Sequence, residues 1–258
     1  MGESGILGAR TAISLTLRRL ESATMRCRHR GMKPRALLFA ALAAVALTGV
    51  LAKPAPAWTG PVAVPSDRPG DSLAVLYSGD GGWGSLDQKV ARRLADNGVP
   101  TIGVNSLAYF RGDRTADGVA ADLAASVRAY GRQWGRGKVI LIGYSFGADA
   151  LPAIIPKLPA DVRAQIRRVV LIGTGPDGDL RFHPASWLNL APNDSFPVAP
   201  AIAALKDLKI TCVYGDKERH DICPDLPDDE VAKVRLPGGH HFNGDYAALG
   251  EVVLKASR

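Results

Sequence analysis

Three short segments of this chain carry residue types that could make and break an acyl bond. The first is Gly143-Tyr144-Ser145-Phe146-Gly147, a G-x-S-x-G motif. Such a motif makes Ser145 a candidate nucleophile where a strand ends just before it and a helix starts just after it. The strand-to-helix turn lifts the hydroxyl above the sheet, and the two glycines let strand and helix approach closely. The first free N–H of that helix, on Phe146, would then face an oxyanion forming on the attacked carbonyl. The second segment is Ser78-Gly79-Asp80-Gly81-Gly82-Trp83, after an apolar run. Its glycines allow the backbone to turn a second N–H, from Asp80 or Gly81, toward the same oxyanion. A phosphate-binding loop would need G-x-G-x-x-G or a Walker lysine, and neither is present.

The third segment supplies a base. Pro237-Gly238-Gly239-His240-His241-Phe242 places two histidines late in the chain; His240 is the expected base, with His241 as the alternative. Between nucleophile and base lies Gly215-Asp216-Lys217-Glu218-Arg219-His220-Asp221. Glu218 is the expected acid that orients the imidazole, with Asp216 and Asp221 as rivals. The order serine, acid, histidine is that of α/β-hydrolases. The histidine pair gives no metal site, because adjacent side chains point apart and no third ligand is suitably spaced. No cofactor is implied.

These residues need elements to hold them. Apolar runs at 72–78, 99–104, 138–144, 168–172, 209–214 and 231–236 read as strands, nearly continuous in apolar residues. Helices are expected at 85–97, 115–134, 146–158 and 245–256. Ser85 with Gln88 three residues on has the spacing of a capping box. Strands alternating with helices predict a mainly parallel sheet covered on both faces, in one domain. Residues 58–72 read as an extended lead-in. The stretch 173–200 has no clear period and is long enough to pass over a site.

From Met32, the chain has a short basic region (Lys33, Arg35), an apolar run Ala36–Ala52 and small residues at Ala55-Pro56-Ala57. These are the parts of a secretory signal peptide over 32–57. Residues 1–31 are then an upstream extension and 58–258 the exported, periplasmic domain. Residues 1–57 hold nine of the 32 basic and two of the 25 acidic side chains, which leaves 23 of each sign in the remainder. The net charge of +7 therefore belongs to the leader and does not indicate nucleic-acid binding. Cys212 and Cys223 flank the acid segment. In an oxidising compartment they are expected to pair, worth roughly 2–3 kcal/mol through loop closure.

The three motif segments, together with Ala148-Asp149 and Gly244-Asp245-Tyr246, resemble the bacterial virulence protein VirJ family and the C-terminal part of the AcvB proteins. The resemblance spans roughly 72–246. It implies an α/β-hydrolase fold and a periplasmic serine hydrolase. The implied substrate is aminoacyl-phosphatidylglycerol, notably the lysyl form, cleaved at the aminoacyl ester. It further implies transient contact with a membrane surface and a link to type IV secretion proteins. The chain lacks the additional N-terminal domain of AcvB. A cationic acyl group would need a negative subsite, for which Asp80, Asp149 and Asp245 stand within the motif segments. The other functions open to these residues are an exported esterase of a different substrate and a non-catalytic accessory of a secretion machine.

Overall fold

The computed structural model describes residues 58–182 and 195–258. The expected leader and the middle of the 173–200 stretch lie outside them. The described elements run β1 (Val62–Val64), β2 (Ser72–Tyr77), α1 (Ser85–Ala95), β3 (Thr101–Val104), α2 (Ser106–Tyr109) and α3 (Ala116–Trp134). They continue with β4 (Lys138–Tyr144), α4 (Phe146–Ile154), a 3-10 turn (Ile155–Lys157), α5 (Ala160–Arg163) and β5 (Ile166–Ile172). The two-residue strands β6 (Asp177–Gly178) and β7 (Phe196–Pro197) pair with each other, and α6 (Val198–Ala203) follows. The chain ends with β8 (Ile210–Gly215), β9 (Val231–Leu236) and α7 (Tyr246–Ala256).

Seven strands form one sheet in the order β1-β3-β2-β4-β5-β8-β9. All neighbours are parallel except the edge pair β1–β3. Along β2 the side chains alternate between two cores. Leu73, Val75 and Tyr77 join one with Val119, Leu123 and Val127 of α3 and Leu151 of α4. Ala74 and Leu76 join the other with Val90 and Leu94 of α1 and Leu249 and Val253 of α7. A strand buried on both faces needs apolar residues at both parities, which is why these runs are continuous rather than alternating.

The fold class expected from the sequence is the one observed, with differences at the margins. Strand β1 falls in the segment read as a plain lead-in; three residues on a sheet edge leave too weak a pattern to detect. Helix α1 is capped one residue earlier than expected. Gly84 is the N-cap, and its N–H donates to Asp87 Oδ2 at 2.8 Å, so Asp87 rather than Gln88 closes the box. The helix after Ser145 ends at Ile154 and tightens into the 3-10 turn, four residues short of Leu158.

Candidate active site

The site sits at the C-terminal ends of the parallel strands. There the loops after β2, β4, β5, β8 and β9 converge. Ser145 occupies the step from β4 to α4, with φ 52° and ψ −122°. A non-glycine residue in that region costs about 1–3 kcal/mol. The cost is offset locally: Ser145 N–H donates to Ile172 O at 2.8 Å, and Ser145 O accepts from Ala148 and Asp149 N–H at 2.7 and 3.0 Å. The motif glycines are there for contact. A Cβ on Gly143 would lie 2.4 Å from Gly147 O, and one on Gly147 would lie 2.4 Å from Tyr77 O.

His240 Nε2 is 2.8 Å from Ser145 Oγ. Its other ring nitrogen, Nδ1, is 3.3 Å from Glu218 Oε2. Glu218 is nearly buried, with its side chain 15% exposed against 35% for His240. Its second oxygen, Oε1, accepts from Arg219 and His220 N–H at 3.1 and 3.3 Å. Burial holds the His240 pKa below the usual histidine range; the Glu218 charge opposes this and His241 adds to it. A neutral imidazole with Nδ1–H on the carboxylate leaves Nε2 free to accept the serine proton.

The rival acids are engaged elsewhere. Asp216 Oδ1 accepts from Gly238 N–H at 2.8 Å, which ties the β8 and β9 loops together. Asp221 Oδ1 accepts from Cys223 N–H at 2.8 Å. Burial pushes the Asp221 carboxyl up to about 7, against the Cys223 hydrogen bond. Its Oδ2 is buried with no hydrogen-bond partner, as is Oγ1 of Thr174. Of the two histidines, His241 turns away from Ser145 and its Nδ1 meets the Tyr144 hydroxyl at 2.9 Å. Cys212 and Cys223 form a disulfide with Cα atoms 5.7 Å apart. Among the described residues the cluster with metal-like spacing is Cys212, Asp221 and Cys223, whose sulfurs are bonded to each other and offer no thiolate.

The expected oxyanion loop lies against the nucleophile. A Cβ on Gly79 would lie 3.3 Å from Ser145 Cβ. Gly82 N–H donates to Gly79 O at 3.0 Å, so Asp80 and Gly81 are the middle residues of a tight turn. Phe146, first residue of α4, has an N–H with no acceptor inside its own helix.

A family model described as bacterial virulence protein (VirJ) matches residues 71–258. The chain belongs to the VirJ family. No curated protein matches it significantly. Solved structures similar to it include an α-β serine hydrolase homologue from Coxiella burnetii, with a TM-score of 0.52 and 15% identity over 78% of this chain and 93% of that one. MenH from S. aureus gives 0.52 and 12% identity over 77% and 97%. The esterase domain of a Rhodothermus marinus protein gives 0.51 and 14% identity over 74% and 88%. At such identities the likeness is one of fold.

The acids expected to form a subsite in this VirJ-family chain separate into two kinds. Asp245 is exposed and caps α7, its Oδ1 accepting from Ala248 N–H at 3.0 Å. Asp149 lies one turn beyond Ser145, under the loop after β5, and its Oδ1 accepts from Gly175 N–H at 2.8 Å. Burial, together with the charges of Asp221, Asp80 and Asp177, drives its pKa well above the ordinary value. The charge of Asp80 also reaches His240 and Tyr144. Tyr144 is a contact residue that the motif reading passed over; its position directly before Ser145 was the available signal.

Proposed function

We propose that this VirJ-family protein is an exported serine hydrolase that cleaves the aminoacyl ester of aminoacyl-phosphatidylglycerol, in its lysyl or alanyl form. The observation that carries the hydrolase reading is the relay from Glu218 Oε2 through His240 to Ser145 Oγ, at 3.3 and 2.8 Å. His240 takes the Ser145 proton as Oγ bonds to the acyl carbon. The N–H of Phe146, with one from Asp80 or Gly81, stabilises the oxyanion. The bond to the lipid glycerol oxygen then breaks, and the imidazolium returns its proton to that oxygen. Water repeats the sequence on the acyl-enzyme and releases the amino acid. No cofactor enters.

The substrate reading follows from the motif resemblance and is consistent with the charge beside the nucleophile. Asp149, one turn beyond Ser145, and Asp80, on the loop beside it, would supply the counter-charge for an α-ammonium next to the attacked carbonyl. An ammonium bound there would favour the ionised form of Asp149, which burial otherwise resists. Asp245 is occupied as a helix cap and is left out of this subsite. The buried disulfide fits a periplasmic location. Working at the surface of a phospholipid layer, beside secretion-system proteins, follows from the same reading. No described helix is long and apolar enough to cross a membrane.

The test is release of amino acid from lysyl- and alanyl-phosphatidylglycerol in detergent by the wild type and Ser145→Ala. The wild type should release it, and the variant should be slower by about 10³-fold or more. Labelling of Ser145 by a fluorophosphonate without amino acid release would redirect the proposal to a different ester. Neither labelling nor release would favour a non-catalytic accessory role.

A further inference from the structure

Tyr144, the residue before the nucleophile, touches three of the loops that build the site. Its ring stacks on the His240 imidazole, with centroids 5.4 Å apart and planes 29° from parallel. A Cβ on Gly79 would lie 3.3 Å from ring atoms Cδ1 and Cε1, so the oxyanion loop rests on the same ring. On the β5 side, a Cβ on Gly173 would lie 3.7 Å from Tyr144 Cε2 and 2.9 Å from His240 Cε1. The His240 ring thus meets both the Tyr144 ring and the Gly173 backbone. The Tyr144 hydroxyl is 2.9 Å from His241 Nδ1 and 3.3 Å from His240 O. Tyr144 is only 7% exposed. Burial, with nearby Tyr246 and carboxylate charges, raises its pKa, so the hydroxyl keeps its one proton, donates it to His240 O, and accepts from His241 in the tautomer that carries the proton on Nδ1.

We propose that Tyr144 and His241 form a positioning pair that orients the base His240. This rests on the hydrolase reading above. The physical reason is that the acid alone fixes the ring loosely. The contact between Glu218 and Nδ1 is 3.3 Å long, and about a third of the His240 side chain faces solvent. His240 and His241 themselves lie in a turn between β9 and a three-residue 3-10 turn, Phe242–Gly244, and not in a longer element that would direct the ring. Tyr144 sits on the rigid end of β4, the same strand that carries Ser145, so one element places both nucleophile and base. The hydroxyl ties the backbone of His240 and the neighbouring ring, and the aromatic face sets the tilt of the imidazole.

The experiment measures p-nitrophenyl acetate hydrolysis and the rate of fluorophosphonate labelling, with Ser145→Ala as blank. The variants are Tyr144→Phe, His241→Phe, His241→Asn and the double Tyr144→Phe/His241→Phe. Asn can present an amide N–H donor near the place of Nδ1, and Phe cannot. Losing one oriented hydrogen bond should lower kcat and the labelling rate by about tenfold with KM unchanged. The double variant should be no slower than either single one, and His241→Asn should recover most of the wild-type rate. Full rates in Tyr144→Phe and His241→Phe, additive losses, or failure of Asn to rescue would each overturn the pair. His241 is exposed, so its variants keep the test valid should Tyr144→Phe lower the melting temperature. A wild type that neither labels nor cleaves would overturn the hydrolase reading, and this inference with it.

Discussion

The elbow at Ser145 and the loop that carries Glu218 each hold one end of the relay through His240, by opposite means. The elbow is made of regular structure. Strand β4 is hydrogen-bonded on both sides, α4 begins at the next residue, and two glycines let them touch. The acid loop has no such frame. It is held by cross-links: the Cys212–Cys223 disulfide, Asp216 N–H to Leu236 O, Lys217 N–H to Gly238 O and Ile222 N–H to Thr174 O. Steric fit defines the first region and discrete ties define the second. A change at the elbow should therefore be all-or-none, while changes in the loop should be graded.

The largest effect is expected at the elbow. Gly143→Val would drive a side chain into Gly147 O and the Ala148 Cα at 2.4 and 2.6 Å, both α4 backbone with nothing flexible to yield. The cost should exceed about 3 kcal/mol, and circular dichroism melting should show a protein that fails to fold or loses most of its stability. A variant that melts like the wild type would end the contrast drawn here.

Removing the disulfide with Cys212→Ala/Cys223→Ala should be milder. The bond closes a loop with a sequence separation of 11. Chain entropy assigns it about 3 kcal/mol, or roughly 6–12 °C in melting temperature for a domain of this size. Below its melting point the variant should fold but hydrolyse esters more slowly than the wild type, because Glu218 lies inside the released loop. Full activity in the folded variant would show that the hydrogen bonds alone set the acid.

The last effect is a stabilisation, expected at Asp221, and its size depends on pH. Burial raises this carboxyl from 3.8 in the ordinary state to about 7 in the fold. The folded protein therefore holds a proton that the unfolded chain has lost, and stability falls as pH rises from about 4 to about 7. Asp221→Asn keeps an acceptor for Cys223 N–H and has no charge to desolvate. It should raise the melting temperature by up to about 10 °C above pH 7 and leave it unchanged below pH 4. Equal effects at both pH values would mean that packing, not ionisation, is responsible.

The same contrast explains what could be read in advance. Strand β4 was legible to the residue because a strand buried on both faces is apolar almost throughout; β9, a partly exposed edge strand, was legible through Val231, Val234 and Leu236. The helix caps at Thr115 and Asp245 lie one residue before the helices they start, within a residue of the expected bounds. The short pieces were not legible. Strand β1, helix α2 and the β6–β7 pair are too brief to show a period and exist through contacts distant in sequence.

The sequence by itself determined that a serine would stand at a strand-to-helix turn, with an acid and a histidine following on later loops of a parallel sheet. Those features depend on local periodicity and on glycine spacing, which neighbouring residues fix. Only the tertiary structure decided that Glu218 faces His240 while Asp216 and Asp221 serve backbone N–H groups. The three carboxylates lie within six residues on one irregular loop. Their directions depend on ties to β9, to the disulfide and to the loop after β5. The same holds for His240 against His241. Adjacent side chains differ in direction, and the direction comes from Tyr144, nearly a hundred residues earlier, packed against them across the top of the sheet.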